Sequence, residues 1–130
     1  MTERSSRSTP RRADRAAAGA HAEALAAEFL AARGLTIVAR NFRTRHGEID
    51  LIAHDGATLV FVEVRRRSSA AFGGAAASIT AAKQARWSLA ARAYLARLPR
   101  EPACRFDAVL LDGPDPPAIE WQRDVLAFDA

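Results

Sequence analysis

Two short apolar runs, 49–53 and 59–64, flank His54-Asp55-Gly56-Ala57 and give the chain its clearest pattern. Asp-Gly between β-rich runs signals a hairpin. With Asp55-Gly56 as a two-residue loop, Leu51 lies opposite Val60, Ile49 opposite Val62, and Glu48 opposite Glu63. Strand alternation then predicts one apolar face of Ile49, Leu51, Val60, Val62 and Val64. The second face receives Glu48, Asp50, Phe61, Glu63 and Arg65. The Val-rich second run has the composition of an interior strand.

The remaining elements follow from period and punctuation. Alanines with Leu25, Phe29 and Leu30 predict an amphipathic helix over 13–33, ended by Gly34. Its stripe is Ala22, Ala26, Phe29 and Leu30, with Glu23 at the border and His21 on the far face. A strand is predicted over 35–43, then a turn at 44–46. Thr80 suits the N-cap of a second helix over 81–98, packed through Trp87, Ala90, Ala91, Tyr94, Leu95 and Leu98. Strands over 105–111 and 118–124 follow, separated by Gly113-Pro114-Asp115-Pro116-Pro117, the last at a sheet edge. The order α-β-β-β-α-β-β predicts an α/β (α+β) fold with one mixed sheet covered by helices. Residues 1–12, polar and basic, are expected to form a disordered tail, and 13–130 a single domain. The small-residue segment 68–78, containing Phe72-Gly73-Gly74, is expected to be a loop beside the acidic face. It lacks phosphate-loop spacing.

Charge adds a partner. Of 130 residues 19 are basic and 15 acidic, and Lys83 is the only lysine. Arginine's planar fork suits phosphate, so nucleic acid, DNA foremost, is the expected partner. An Arg- and Ala-rich composition is equally what a GC-rich genome produces. The single cysteine, Cys104, excludes an intramolecular disulfide and a Cys-based zinc site, and is expected to be a buried thiol. No apolar stretch approaches about 18 residues, and the basic head lacks a signal-peptide core. A cytoplasmic protein without membrane contact is the expectation.

The acidic hairpin face carries the candidate chemistry. At roughly 5 Å and an effective dielectric near 20, a carboxylate pair repels by about 3 kcal/mol. A raised pKa, a basic neighbour or a divalent cation must offset that. Two readings stand: a solvated face paired with arginines, or a metal site. Arg40, Arg43 and Arg45 precede the face, and Arg66 and Arg67 follow it. Lys83, Gln84 and Arg86 open the second helix, where they either grip phosphate or solubilise the surface.

Asp50 followed by Glu63-Val64-Arg65 resembles the D…(D/E)-x-K core of restriction-endonuclease-like nucleases. More specifically, Gly19-x-x-x-Glu23, Arg40-Asn41-Phe42-Arg43, Gly47-Glu48-Ile49-Asp50-Leu51-Ile52, Phe61-Val62-Glu63-Val64 and Arg105-Phe106-Asp107 resemble the YraN family of small bacterial proteins. That similarity runs from about Gly19 to Phe128. It implies a restriction-endonuclease-like fold, similar to Holliday-junction resolvases, which work as homodimers. It further implies a metal-dependent endonuclease acting on nucleic acid, branched DNA included. The implied catalytic set is Asp50, Glu63 and, at the basic position, Arg65; Lys83, the only lysine, is a further candidate if its helix packs beside the hairpin. Mg²⁺ or Mn²⁺ would be held by Asp50, Glu63 and the Val64 carbonyl, with Glu23 or Glu48 completing the shell through water. Arg40, Arg43, Arg45, Arg66, Gln84 and Arg86 would contact nucleic acid. One departure matters: Arg65 stands where the family usually carries lysine, and arginine is effectively never deprotonated. Lys83 is the alternative ammonium. The alternative function is a non-catalytic nucleic-acid- or partner-binding module that kept the nuclease fold.

Overall fold

A computed structural model describes residues 12–67 and 80–126, with side chains over 19–66 and 80–126. The tail expected over 1–12 falls, but for the backbone of Arg12, outside the described residues, as does the loop expected over 68–78. The elements are α1 (Arg12–Ala32), β1 (Thr36–Thr44), β2 (Gly47–Asp55), β3 (Thr58–Arg67), α2 (Ala81–Leu95), β4 (Cys104–Asp112) and β5 (Ala118–Gln122). They build one mixed five-stranded sheet in the order β1-β2-β3-β4-β5, an α+β arrangement as the pattern predicts. Neighbours are antiparallel except β3 and β4, which run parallel. A parallel pair needs a long crossover, and α2 lies within it. Among the described residues no helix is long and apolar enough to cross a membrane.

Each helix covers one face of the sheet. Ala22, Ala26, Ala27 and Leu30 of α1 pack on Leu51, Ala53, Val60, Val62, Val64, Val109 and Leu111. Trp87, Ala90, Ala91 and Leu95 of α2 pack on Ile49, Ile52, Phe61 and Phe106. The Trp87 ring stacks on Phe106 with centroids 6.0 Å apart. Each large apolar side chain so buried contributes about 1.5–3 kcal/mol, so two covered faces hold β2 and β3 rigidly. Thr80 caps α2, its hydroxyl accepting from Lys83 N at 3.2 Å. The helix stops at Leu95 rather than 98. Beyond it Arg97 N donates to Tyr94 O and Leu98 N to Leu95 O, the tighter turn that often closes a helix.

Two expectations about the hairpin need correction. Leu51 pairs with Val62, Ala53 with Val60 and Asp55 with Thr58, so the loop is Gly56-Ala57 and not Asp55-Gly56. Gly56 takes the left-handed conformation at φ 61. Asp55 stays in the ladder, where Arg105 Nη2 donates to its Oδ2 at 3.0 Å. The shift is two residues, so it leaves the facing of each side chain unchanged. The second correction concerns Ile49, which packs on the α2 face, opposite to Leu51. Ile49 and Ile52 share that face, as do Ala39 and Phe42 on β1, a separation of three that strict alternation forbids. Between them lie Asp50 and, on β1, Asn41 with a left-handed φ of 53. The regular ladder is broken where the acids stand.

Arg105 and Asp107 tie the far end of the α1 face. Asp107 is wholly buried and accepts from Arg105 Nε at 3.0 Å, Trp121 Nε1 at 2.9 Å and Asp124 N at 2.9 Å. The Arg-Phe-Asp word therefore fastens the hairpin turn, β5 and the chain beyond it to one carboxylate. Cys104, expected buried, is half-buried at the start of β4.

Candidate metal centre and its basic surround

The centre forms where β2 and β3 part. Pairing of β2 with β3 is recorded from Asp55↔Thr58 to Leu51↔Val62 and goes no further toward Gly47. At the next residue the Asp50 side chain takes over: its Oδ2 accepts the Val64 backbone N–H at 2.8 Å. A carboxylate thus stands where a ladder carbonyl would otherwise be. Asp50 and Glu63 are only 8% and 6% exposed. Buried charge at that depth requires compensation.

Glu23 arrives from α1, at the edge of the alanine stripe, as the helical spacing predicts. Ligand oxygens of Glu23, Glu48 and Asp50 all lie within 4.8 Å of one another. Glu23 is pushed up to about 6, first by burial and then by the Asp50 charge, with a hydrogen bond from the Asn41 side chain pulling the other way. Glu63 is pushed up to about 8 by burial and by Asp50, against the pull of Arg65 and Lys83. Arg65 Nη2 meets Glu63 Oε2 at 2.7 Å. Arg43 Nε reaches Glu48 Oε1 at 3.5 Å, with both side chains largely exposed. So arginine pairing accounts for Glu48 in part and for Glu63 closely. Among the described residues no ion pair reaches Glu23 or Asp50.

The acids divide two cavities. One, about 200 Å³, is lined by Gly47, Glu48, Asp50, Glu63, Arg65, Lys83, Arg86 and Trp87. The other, about 610 Å³, is lined by Gly19, Ala22, Glu23, Asp50, Val64, Arg65 and Arg66. Asp50 and Arg65 border both. Lys83 therefore reaches the acidic side, which its place in the sequence left conditional on how α2 packs. Gly47 makes that packing possible: a Cβ there would sit 2.9 Å from the Arg86 carbonyl oxygen. Thr44 shapes the preceding turn, its hydroxyl accepting from His46 N and Gly47 N and donating to Gly47 O.

The other predicted residues fall as follows. Arg40, Arg43 and Arg45 are exposed on β1 and its turn, and Arg86 is exposed on α2 beside half-buried Gln84. Arg66 is committed: its Nη2 donates to Asp115 Oδ1 at 2.9 Å. Among the described residues Arg65 Nε and Arg66 Nη1 are buried without a hydrogen-bond partner. Val64 enters the centre through its N–H, in contact with Asp50. Sequence reasoning missed Asn41 as a participant; a weak β-former inside a predicted strand was the available signal.

The sequence pattern of an uncharacterised protein family, UPF0102, matches residues 22–111, which hold every carboxylate of the centre. A UPF0102 protein of Methylobacillus flagellatus is 55% identical over 86% of this chain and 96% of its own length. One from Nitrosospira multiformis is 56% identical over 85% and 92%. One from Cupriavidus taiwanensis is 58% identical over 89% and 86%. The chain belongs to the UPF0102 family, the YraN-like family whose words are present in its sequence.

Proposed function

For this member of UPF0102 we propose metal-dependent hydrolysis of phosphodiester bonds in nucleic acid, DNA foremost. The observation that carries the reading is the convergence of Glu23, Glu48 and Asp50 from two elements onto one point. Their hard oxygen donors fit Mg²⁺ or Mn²⁺, and a cation would offset both the burial and the Asp50 charge that raise Glu23. When bound, the ion supplies Lewis acidity toward a phosphate oxygen and an acidified water. The chain's own residues do the rest. Asp50 is oriented by the Val64 N–H, which donates to its Oδ2 at 2.8 Å. Glu63, pushed up to about 8 by burial and by Asp50, takes the proton of the attacking water, a task that calls for a raised pKa. Lys83 and Arg65, across the smaller cavity, hold the phosphate by charge. Arg40, Arg43 and Arg45 give the approach its sequence-independent attraction.

A second reading is a binding module without catalysis. The Arg65–Glu63 pair at 2.7 Å supports it, because a permanent cation on Glu63 competes with its service as a base. The deciding experiment incubates wild type and Asp50→Asn with linear, flapped, single-stranded and four-way-junction DNA and RNA, in Mg²⁺ or Mn²⁺. Cleavage that requires Asp50 establishes the nuclease. Substrates bound but left intact in both ions establish the module.

A further inference from the structure

We infer that the larger cavity is a nucleoside subsite for the nucleotide beside the scissile phosphate, and that Gly19 is a glycine so that this space stays open. The inference rests on the nucleic-acid reading above and names where the substrate strand lies.

Gly19 sits inside α1, one turn before Glu23 on the same helical face. Glycine weakens a helix relative to alanine, so its presence there calls for a reason. Among the described residues the chain supplies none. The φ of Gly19 is not positive, unlike those of Gly34, Gly56 and Gly113, and a Cβ on it meets nothing within 4 Å. Gly47 is the contrast: a Cβ there would stand 2.9 Å from the Arg86 carbonyl oxygen, so the packing of α2 itself demands a glycine. What Gly19 does border is the cavity of about 610 Å³, together with Ala22 and Glu23 of α1 and Val64, Arg65 and Arg66 of β3. Backbone bare of a side chain is what close approach by a ligand requires.

Size and lining select the occupant. About 610 Å³ lies within the range of small organic ligand sites, roughly 300–1,000 Å³, whereas about 200 Å³ falls below it. The smaller cavity, with Lys83 and Arg86, therefore suits a phosphate group, and the larger one a sugar with its base. Gly19, Ala22 and Val64 give the larger one a low apolar wall, which a second phosphate would not need. Arg66, held by Asp115 at 2.9 Å, is a fixed part of that wall. Asp50 and Arg65 border both cavities, so consecutive units of one strand can occupy the two.

Filling the space tests this. Gly19→Ala should melt at or above wild type, because alanine favours the helix and its methyl meets open space. Gly19→Trp should also melt near wild type, yet bind labelled single-stranded and four-way-junction DNA about tenfold or more weakly by anisotropy. Its Mn²⁺ uptake, by calorimetry, should match wild type. A second arm needs no bulky residue, and decides alone if Gly19→Trp unfolds. In a Cys104→Ser background Gly19→Cys supplies the only thiol, and bound DNA should slow its alkylation by a maleimide about tenfold. If DNA binds while the introduced thiol reacts at its free rate, or if Gly19→Trp binds DNA as wild type does, the subsite is overturned. A lower melting temperature for Gly19→Ala, or a parallel loss of Mn²⁺ in Gly19→Trp, overturns it too, since either gives the glycine a role within the chain. Absence of DNA binding by wild type overturns the nucleic-acid reading itself, and the subsite with it.

Discussion

Asp50 accepts the backbone N–H of Val64 at 2.8 Å, so one carboxylate serves both the sheet and the site. The two duties separate by substitution. Asp50→Asn keeps an oxygen for the Val64 N–H and removes the charge; it should abolish Mn²⁺ binding with stability within about 0.5 kcal/mol of wild type. Asp50→Ala leaves a buried N–H unsatisfied and should cost about 1–3 kcal/mol. Urea unfolding beside calorimetry reads both effects.

Stability of the metal-free protein should fall as pH rises. Glu23 and Glu63 hold protons to about 6 and about 8 when folded, against 4.5 for the ordinary carboxyl. Between those limits the folded chain binds more protons than the unfolded one, so stability declines with pH. Their protonated-state contribution is complete below about 4.5 and gone once pH passes the folded values. Mn²⁺ affinity should run the other way, rising over the same window as the acids ionise. Melting scans at pH 5, 6, 7 and 8, with and without Mn²⁺, test the crossing trends. Glu63→Gln should flatten the upper part of the metal-free curve.

The arginines should not behave alike. Arg43 and Arg45 are exposed, so their alanine variants should weaken nucleic-acid binding on every sequence and lower the salt slope by about one each. Arg66 is held by Asp115, and Arg66→Ala should lower the melting temperature more than the salt slope. Equal slopes for all three variants would contradict this division.

Arg65 and Lys83 share a cavity, and their roles are separable. If Arg65 restrains Glu63, Arg65→Lys should raise the metal-dependent cleavage rate, since the shorter ammonium can release the carboxylate. If Lys83 holds the scissile phosphate, Lys83→Ala should lower that rate by 10²-fold or more. Single-turnover kinetics on whichever substrate is cut decides. An unchanged rate in both variants removes both residues from the mechanism.

The sequence showed the fold through local signals and lost it where distant groups intervene. Apolar runs marked β2 and β3, and Thr80 marked the start of α2, because period and caps are local. The hairpin register was misread because Asp55-Gly56 is a turn signal, whereas Asp55 is held in the ladder by Arg105, fifty residues on. The two-residue slip by itself leaves facing unchanged. Ile49 was misassigned because alternation presumes regular backbone, and the left-handed Asn41 opposite Asp50 breaks it. The helical stripe put Glu23 at its border, but only the resemblance to nucleases suggested a role at a metal.

β1 is an outer strand of the sheet, and its two irregularities bear on association as well as on the centre. Register slips between Ile37 and Ala39, leaving Val38 as the extra residue, 43% exposed; Asn41 then turns left-handed three positions on. An open edge with a regular row of N–H and C=O groups is a template for another chain's strand. Here the row is interrupted twice within nine residues, and Arg40 and Arg43 add like charge along it. The left-handed Asn41 and the slip at Val38 together deny this edge the flat geometry on which sheet-to-sheet aggregation begins.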